Sequence, residues 1–137
     1  MIKKYIQWGA LFALLAVILG AFGAHGLQGK LTIKQLGTYN TAVQYQMYHA
    51  FALILVGILS NYLVVKRLKG AAAMFLAGII CFSGSLYLLA CADLFQIGSG
   101  LKKIIGPITP LGGLFFIGGW LMIFVAGSKD EEKMPLT

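Results

Sequence analysis

The sequence predicts an all-α membrane protein in which four transmembrane helices form a bundle. Hydrophobic residues make up 59% of the 137 residues and charged residues only 11%, against about 25% charged residues in soluble globular domains. The mean hydropathy of the chain is +0.86. Four long apolar runs, separated by short segments that carry most of the charges, account for nearly all of this hydrophobicity. A chain of this length and composition predicts one membrane domain.

Each apolar run is long enough to cross a bilayer as a helix. At a rise of about 1.5 Å per residue, about 20 residues span a hydrocarbon core of about 30 Å. The runs are continuously apolar rather than alternating, which favours helices over a transmembrane β-barrel. The predicted spans are residues 5–24, 41–65, 71–92 and 107–126, within a membrane domain of residues 1–126, and residues 127–137 form a short tail.

The first run is predicted to be a membrane anchor and not a cleaved signal peptide. Lys3 and Lys4 before an apolar stretch, with small residues at 21–24, are features that a signal peptide also has. The apolar part of a signal peptide, however, has about 7 to 15 residues, whereas this run has 20. Tyr5 and Trp8 are typical of aromatic residues at a membrane interface.

The second span begins with a polar half, and a helix signal precedes it. Thr32 followed by Gln35 matches a capping box, and mostly apolar residues follow at spacings of three and four. A helix from Thr32 to Val65 would be about 51 Å long, which exceeds the bilayer thickness. We therefore expect either an interfacial helix over residues 32–40 that bends near Gly37, or a span with an extended end.

Small residues mark the helix faces that are predicted to pack, because helices in lipid associate through close backbone approach. In the first span they recur at spacings of three and four, which puts them on one face. The glycine-rich tracts are interpreted as contact surfaces and not as phosphate loops, since no strand precedes them. These faces predict helix packing and a homo-oligomer. The candidate packing residues are Gly9, Ala13, Gly20, Gly23, Ala77, Gly84, Gly112 and Gly119.

The distribution of basic residues predicts the orientation of the spans. Seven Lys or Arg residues lie on the side of the two termini and the middle loop, and four lie on the opposite side. Both termini are therefore predicted to be cytoplasmic. The N-terminus lacks the Arg- and Ser-rich composition of an organelle transit peptide, which favours a bacterial plasma membrane.

The net charge of +7 is divided into small groups beside the apolar spans. A nucleic-acid-binding protein would carry its basic residues on one contiguous face. The pattern instead favours anionic lipid head groups as the partner, and no nucleic acid. The basic group in the middle loop consists of Lys66, Arg67 and Lys69.

Alternating spans would gather several polar side chains on the outer side of the membrane. His25 ends the first span, Tyr45 and His49 lie one helical turn apart in the second, and Asp93 follows the third. Asp93 is the only acidic residue outside the tail, so it is the candidate partner of a histidine. The plainer alternatives are a helix-end residue at His25, a structural hydrogen bond at His49, a solvated residue at Asp93 and an interfacial tyrosine at Tyr45.

Four blocks of the sequence resemble one known family. The first two are Gly-Ala-Phe-Gly-Ala-His-Gly-Leu, residues 20–27, and Tyr-Gln-Met-Tyr-His-Ala, residues 45–50. The later two are Gly-Ser-Leu-Tyr-Leu-Leu-Ala, residues 84–90, and residues 106–120, which end in Gly-Gly-Trp. In this order, and over almost the whole chain, they resemble the domain-of-unknown-function 423 family, whose relatives include the transmembrane protein 256 group. The resemblance implies a small multi-pass membrane protein with no established biochemical activity.

Three classes of function fit these features. The favoured hypothesis is a structural or regulatory membrane protein that oligomerises and supports membrane or envelope integrity. The alternative is a small channel or transporter in which His25, Tyr45, His49 and Asp93 line an outward-facing vestibule. A haem- or metal-binding membrane enzyme is less favoured, because haem-attachment signatures and metal-ligand spacings are absent from the sequence. We therefore predict no enzyme activity, no catalytic or metal-binding residue and no cofactor.

Overall fold

The computed structural model describes residues 1–128, which form helices joined by short turns. Four helical stretches in this part of the chain are long and apolar enough to cross a membrane, and none of the described residues lies in a strand. The predicted all-α fold with four spans is therefore confirmed. The helices are α1 (Lys3–His25), α2 (Ile33–Leu59), α3 (Val65–Gly78), α4 (Gly84–Ala90), α5 (Ser99–Ile105) and α6 (Ile108–Gly127), with a π-helical segment, Ile79–Ser83, between α3 and α4.

The second span is one helix with an extended first end. The predicted capping box is formed: the Gln35 nitrogen donates to Thr32 Oγ1 over 3.2 Å, and the Thr32 nitrogen donates to Gln35 Oε1 over 2.9 Å. The helix then continues through Gly37, so residues 32–40 are its first turns and not a separate helix. Its 27 residues give a length of about 40 Å. α2 ends at Leu59 and not at residue 65, because residues 60–64 turn into α3.

The third span begins earlier than its apolar pattern predicts. Its helix runs from Val65 to Ala90 with the π-helical segment in the middle, so the basic residues at 66, 67 and 69 form its first turns. Basic side chains tolerate this position because they reach the head-group region from a helix end. The fourth span begins at Ile108, next to the predicted start, and the short helix α5 precedes it. The predicted tail from residue 129 onward lies outside the described residues.

α2 is the central helix of the bundle. It packs along α1 and also against α3, the π-helical segment and α4, whereas α6 packs mainly against α3 and the π-helical segment. In the most apolar stretch of each span, 44% of the residues are buried in α2 but only 17% in α1 and in the fourth span. α1 and α6 therefore form the lipid-facing flanks.

α1 contacts α2 through glycines that were predicted to pack. A side chain at Gly9 would overlap the α2 backbone at 2.6 Å, and one at Gly23 would overlap the Tyr39 ring at 2.6 Å. A side chain at Gly20 would approach α2 to 3.3 Å. Ala13, on the same predicted face, is half-buried. The glycine face of α1 is thus used within the chain.

The fourth span packs on the third span through two of its predicted glycines. Gly112 lies against the backbone of Phe82 in the π-helical segment, and a side chain at Gly119 would overlap an aromatic ring of α3 at 2.5 Å. Ala77 on α3 is half-buried. A side chain at Gly84 would meet no atom within 4 Å, so this predicted packing glycine has open space.

Both ends of the described chain meet at the same end of the bundle. The Ile2 nitrogen donates to Ser60 Oγ over 2.8 Å, and the N-terminal ammonium donates to the Asn61 side chain. Arg67, at the start of α3, donates through Nη1 to the Val125 carbonyl oxygen of α6 over 2.7 Å. These bonds join the N-terminus, the α2–α3 turn and the last turns of α6.

Gly112→Ala should lower the thermal stability of the bundle, because the added methyl group would overlap the Phe82 backbone. Overpacking of this kind costs about 1–3 kcal/mol of unfolding free energy. Gly113→Ala is the matched control, since a side chain there meets only the Phe82 ring, at 3.8 Å. Thermal unfolding of both variants in one mild detergent is the measurement. Equal melting temperatures for the two variants would contradict the close contact at Gly112.

Candidate functional site

His49 is held by two hydrogen bonds that determine which ring nitrogen carries the proton. It is buried, with 4% of its surface exposed. Its Nδ1 lies 2.7 Å from the Tyr45 carbonyl oxygen, and the Trp120 indole nitrogen donates to its Nε2 over 3.2 Å. A carbonyl oxygen only accepts and an indole N–H only donates. His49 is therefore the neutral tautomer with its proton on Nδ1 and a lone pair on Nε2.

The His49–Trp120 pair lies far from the ends of its two helices. His49 is ten residues from the end of α2 at Leu59, or about 15 Å along the helix, which is about half of a 30 Å hydrocarbon core. Trp120 is seven residues from the end of α6 at Gly127, or about 10 Å. Tryptophan is usually enriched at the membrane interface. At this depth its N–H requires a partner, which His49 supplies.

Aromatic rings surround the imidazole of His49. The Phe116 ring stacks on it, with ring centroids 3.4 Å apart and planes at 6°. The Phe75 and Tyr45 rings lie 5.6 Å and 6.0 Å from it. Trp120 in turn packs edge-on against Phe75 at 5.2 Å. The hydrogen bond between His49 and Trp120 therefore lies in an apolar environment, where it is stronger than in water.

Beside this pair, the surface between α2 and α6 forms an open groove of about 400 Å³, which we call the aromatic groove. Two of its lining residues are more than half exposed, Tyr48 at 55% and Ile117 at 64%. The groove therefore faces the surrounding lipid. No acidic, lysine or arginine side chain is among its lining residues. They are Tyr45, Tyr48, His49, Phe82, Gly113, Phe116, Ile117 and Trp120.

Gln46 connects three helices from its buried position on α2. Its Nε2 donates to the Phe12 carbonyl oxygen of α1 over 2.9 Å, and its Oε1 accepts from the Tyr87 hydroxyl of α4 over 2.9 Å. Two turns earlier on α2, the Tyr39 hydroxyl donates to the Leu19 carbonyl oxygen of α1 over 2.8 Å. Polar groups left unpaired in lipid carry a cost of several kcal/mol. The network therefore fixes how α1 and α4 pack on α2.

The π-helical segment packs against α6, as α3 does. Ser85, just after it, donates to the Phe82 carbonyl oxygen over 3.0 Å. Because a hydroxyl has one proton, Ser85 must accept the 2.6 Å hydrogen bond from Thr109 Oγ1. The Ser83 hydroxyl is buried and has no hydrogen-bond partner among residues 1–128. π-Helical turns are frequent at functional sites, and this one contributes Phe82 to the aromatic groove.

Of the four residues in the predicted polar cluster, Tyr45 and His49 lie together, with stacked rings. His25 is the last residue of α1 and is exposed. Asp93 is exposed in the turn that follows α4. The aromatic groove therefore contains two of the four predicted residues, and the other two lie outside it.

Asp93 pairs with Lys102 and Gln35, so the expectation that it pairs with a histidine is wrong. Its Oδ1 accepts from Lys102 Nζ over 2.6 Å, and its Oδ2 accepts from Gln35 Nε2 over 2.8 Å. The physical reason is its location, since an exposed turn brings the ammonium of α5 and the capping residue of α2 within reach. The hydrogen bond from Lys102 and its positive charge lower the pKa of the Asp93 carboxyl.

The sequence interpretation missed Trp120 and Gln46 as residues that form hydrogen bonds between helices. A signal for Trp120 was available, because it occurs well inside an apolar run and not at the interface that tryptophan favours. Gln46 lies three residues before His49, close to the same helix face. Phe116 carried no signal, since one apolar residue of α6 resembles the next.

No three His, Cys, Asp or Glu side chains within residues 1–128 are grouped closely enough to hold a metal ion. Cys81 and Cys91 are both free thiols. The groups that the structure does bring together are neutral: an imidazole, an indole, an amide and several hydroxyls. They donate and accept hydrogen bonds between helices.

The four spans and the buried polar network define a small polytopic helical membrane protein. Residues 19–113 match the family described as "Protein of unknown function (DUF423)". The chain belongs to this family, which confirms the resemblance of the four sequence blocks.

Curated relatives of the chain are bacterial proteins that are named as membrane proteins. The chain is 48% identical over 128 residues to the UPF0382 membrane protein YwdK of Bacillus subtilis, which covers 93% of this chain and 98% of that protein. It is 44% identical over 127 residues to a UPF0382 membrane protein of Staphylococcus aureus and 42% identical over 127 residues to one of Staphylococcus haemolyticus, with 93% of this chain and 97% of each relative covered. No solved structure matches the chain significantly.

Trp120→Phe should destabilise the protein, because it leaves the Nε2 lone pair of buried His49 without a partner. The expected loss is about 1–3 kcal/mol of unfolding free energy.

In the unsubstituted protein, the nitrogen-15 NMR shifts of labelled histidine should show the His49 proton on Nδ1. His25→Gln assigns the second histidine signal and is the matched control. A His49 ring with its proton on Nε2 would contradict the hydrogen-bond assignment.

Proposed function

We propose that this protein is a structural or regulatory component of the bacterial cell membrane, without enzyme activity, that supports membrane integrity through helix packing and self-association. The observation that carries the proposal is the use of its buried polar side chains. Tyr39, Gln46 and Ser85 each form a hydrogen bond to another helix. In lipid such bonds hold helices together, each contributing about 0.6–2 kcal/mol.

Away from the helix ends, the spans contain no charged side chain that would favour transport. Lys, Arg, Asp and Glu are absent from residues 5–29, 35–65, 70–92 and 104–128, although a path for ions or polar solutes usually has a polar or charged lining. The residues that were expected to line a vestibule are divided, since Tyr45 and His49 lie at the aromatic groove whereas His25 and Asp93 are exposed elsewhere. These features favour the structural proposal over a channel or transporter.

The surface proposed for self-association is the free face of the third span, defined by Ala77, Ile80, Gly84 and Leu88. Ile80 and Leu88 are 66% and 45% exposed, and a side chain at Gly84 would meet no atom within 4 Å. A groove of about 570 Å³ with a mainly apolar lining adjoins them. The predicted packing glycines of α1 and α6 are already covered within the chain. Gly84 is therefore the packing glycine that a second copy could contact.

The proposed orientation has both termini in the cytoplasm and uses the basic end of the bundle to contact anionic lipid head groups. Lys66 and Lys69 are exposed at the start of α3, at the end where the N-terminus with Lys3 and Lys4 is bound. Asp93, the only acidic residue in the described part of the chain, pairs with the first turn of α2 at the opposite end. Anionic head groups would thus meet a positively charged surface, at an end of the bundle where residues 1–128 place no carboxylate.

Mild oxidation of native membranes should produce a disulfide-linked dimer through Cys81, which lines the groove beside Gly84. A disulfide forms only when the two Cα atoms lie within about 7 Å, so the dimer would report close approach of the two faces. Cys81→Ser should abolish the dimer on non-reducing gels. Cys91→Ser is the matched control and should retain it, because Cys91 is buried.

A deletion strain tests the proposed structural role. Loss of the gene should increase dye leakage under osmotic or detergent stress, and the unsubstituted protein should restore the barrier. A species that stays monomeric in nanodiscs, together with a deletion strain of unchanged membrane robustness, would refute the proposal.

Cysteine labelling in whole cells should report the orientation. In a Cys81→Ser/Cys91→Ser background, Lys69→Cys should react with a membrane-impermeant maleimide only after permeabilisation, whereas Gln28→Cys should react in intact cells. The reverse pattern would rule out cytoplasmic termini.

Detergent-extracted Lys66→Gln/Lys69→Gln protein should retain less phosphatidylglycerol than a Lys30→Gln/Lys34→Gln control, as measured by mass spectrometry. Equal retention would contradict the lipid contact.

A further inference from the structure

The geometry points to a binding site in the aromatic groove for a neutral, lipid-soluble molecule with a planar carbonyl-bearing ring, of the quinone class. This site lies on a different surface from the free face of the third span. It would add a ligand to the proposed structural role. Space, chemistry and access each support it.

The groove has room for a ring because one of its lining residues, Gly113, has no side chain. Its volume is about 400 Å³, within the range of about 300–1,000 Å³ for small-molecule sites. A side chain at Gly113 would meet only the Phe82 ring, at 3.8 Å, so a larger residue there would extend into the groove. His49 and Phe116 are each 4% exposed and form a closely packed floor.

The lining favours an uncharged ring that accepts hydrogen bonds. Charged side chains are absent from the groove, and both nitrogens of His49 are already engaged. Tyr45, Tyr48 and Trp120 offer electron-rich ring faces, which attract an electron-poor ring such as a quinone. A neutral ring also avoids the cost of bringing a charge to this depth.

Two tyrosine hydroxyls supply the donors for the carbonyl groups. Tyr39 and Tyr87 donate to partners within the bundle. By contrast, the hydroxyls of Tyr45 and Tyr48 have no such partner in residues 1–128, and their rings are 39% and 55% exposed at the groove. Because an unpaired hydroxyl in lipid is unfavourable, a quinone carbonyl would satisfy a need that an alkyl chain cannot.

The groove is open to ligands that are dissolved in the bilayer. Its exposed walls, Tyr48, Ile117 and Trp120, lie on the lipid-facing side between α2 and α6. Gly113 is five residues from the start of α6 and Trp120 is twelve, so the groove extends from about 8 to 18 Å along the helix. A lipid-soluble molecule would therefore enter sideways, with its ring below the head groups and its tail among the acyl chains.

The tryptophans of the chain allow a direct binding test, because quinones quench indole fluorescence. The chain has two tryptophans: Trp120 lines the groove, whereas Trp8 is on α1, which contributes nothing to it. Trp8→Phe therefore reports Trp120 alone, and Trp120→Phe reports Trp8 alone. Each protein is placed in nanodiscs and titrated with decylubiquinone. We expect saturable quenching of Trp120 and only linear, collisional quenching of Trp8.

Three further variants in the Trp8→Phe background examine the site itself. Gly113→Leu should remove the saturable component by filling the groove, while Gly113→Ala should retain most of it. Tyr45→Phe/Tyr48→Phe keeps the ring volume. Because it removes the two hydrogen-bond donors, it should raise the half-saturation concentration by about tenfold. If Gly113→Leu unfolds, the Tyr45→Phe/Tyr48→Phe variant still tests the site.

Three results would overturn the site. One is linear quenching of Trp120 that matches that of Trp8. A second is unchanged affinity in Tyr45→Phe/Tyr48→Phe, which would leave no role for carbonyl recognition. A third is recovery of Trp120 fluorescence from decylubiquinone quenching when an equal concentration of a ring-free alkane of the same tail length is added, which would identify an ordinary acyl chain as the occupant.

Discussion

The pairing of polar side chains on α2 is the constraint on which the bundle depends. Lipid supplies no hydrophobic driving force for helix association. α1 is therefore held by close contact at Gly9 and Gly23 and by the hydrogen bonds that Gln46 and Tyr39 make to its carbonyl oxygens. Because Gln46 also accepts from Tyr87, α1 and α4 are both positioned by one side chain. A shift of α2 by one turn would leave these groups unpaired in lipid.

The π-helical segment has the corresponding effect on α6. Its backbone at Phe82 contacts Gly112 so closely that only glycine fits there. This contact brings the Phe82 and Phe116 rings to 5.5 Å from each other, and both rings then line the aromatic groove. The next residue, Gly113, faces away from this contact, since a side chain there would have space. Two neighbouring glycines thus have opposite roles, one in packing and one in opening the groove.

The sequence predicts the number and kind of the helices because span length and hydropathy are local properties. It predicts their ends less well, since Lys66 and Arg67 belong to a helix although they are charged. The polar importance of His49 was also predictable, but its partner Trp120 depends on which faces of α2 and α6 meet. That is a tertiary property, and helical periodicity does not determine it. Asp93 was misassigned for the same reason, because spacing along the chain gives no information about its neighbours.

The His49–Trp120 pair is not required to hold α6 in the bundle. α6 is already joined to the third span at Gly112, near its start by Thr109 and near its end by the Val125 carbonyl oxygen. Replacing both members of a buried hydrogen bond by apolar residues of similar shape is often nearly neutral for stability. Packing therefore does not explain an indole held by an imidazole at this depth. What the pair does achieve is a fixed, uncharged wall for the aromatic groove, which favours a binding role over a purely structural one for these two residues.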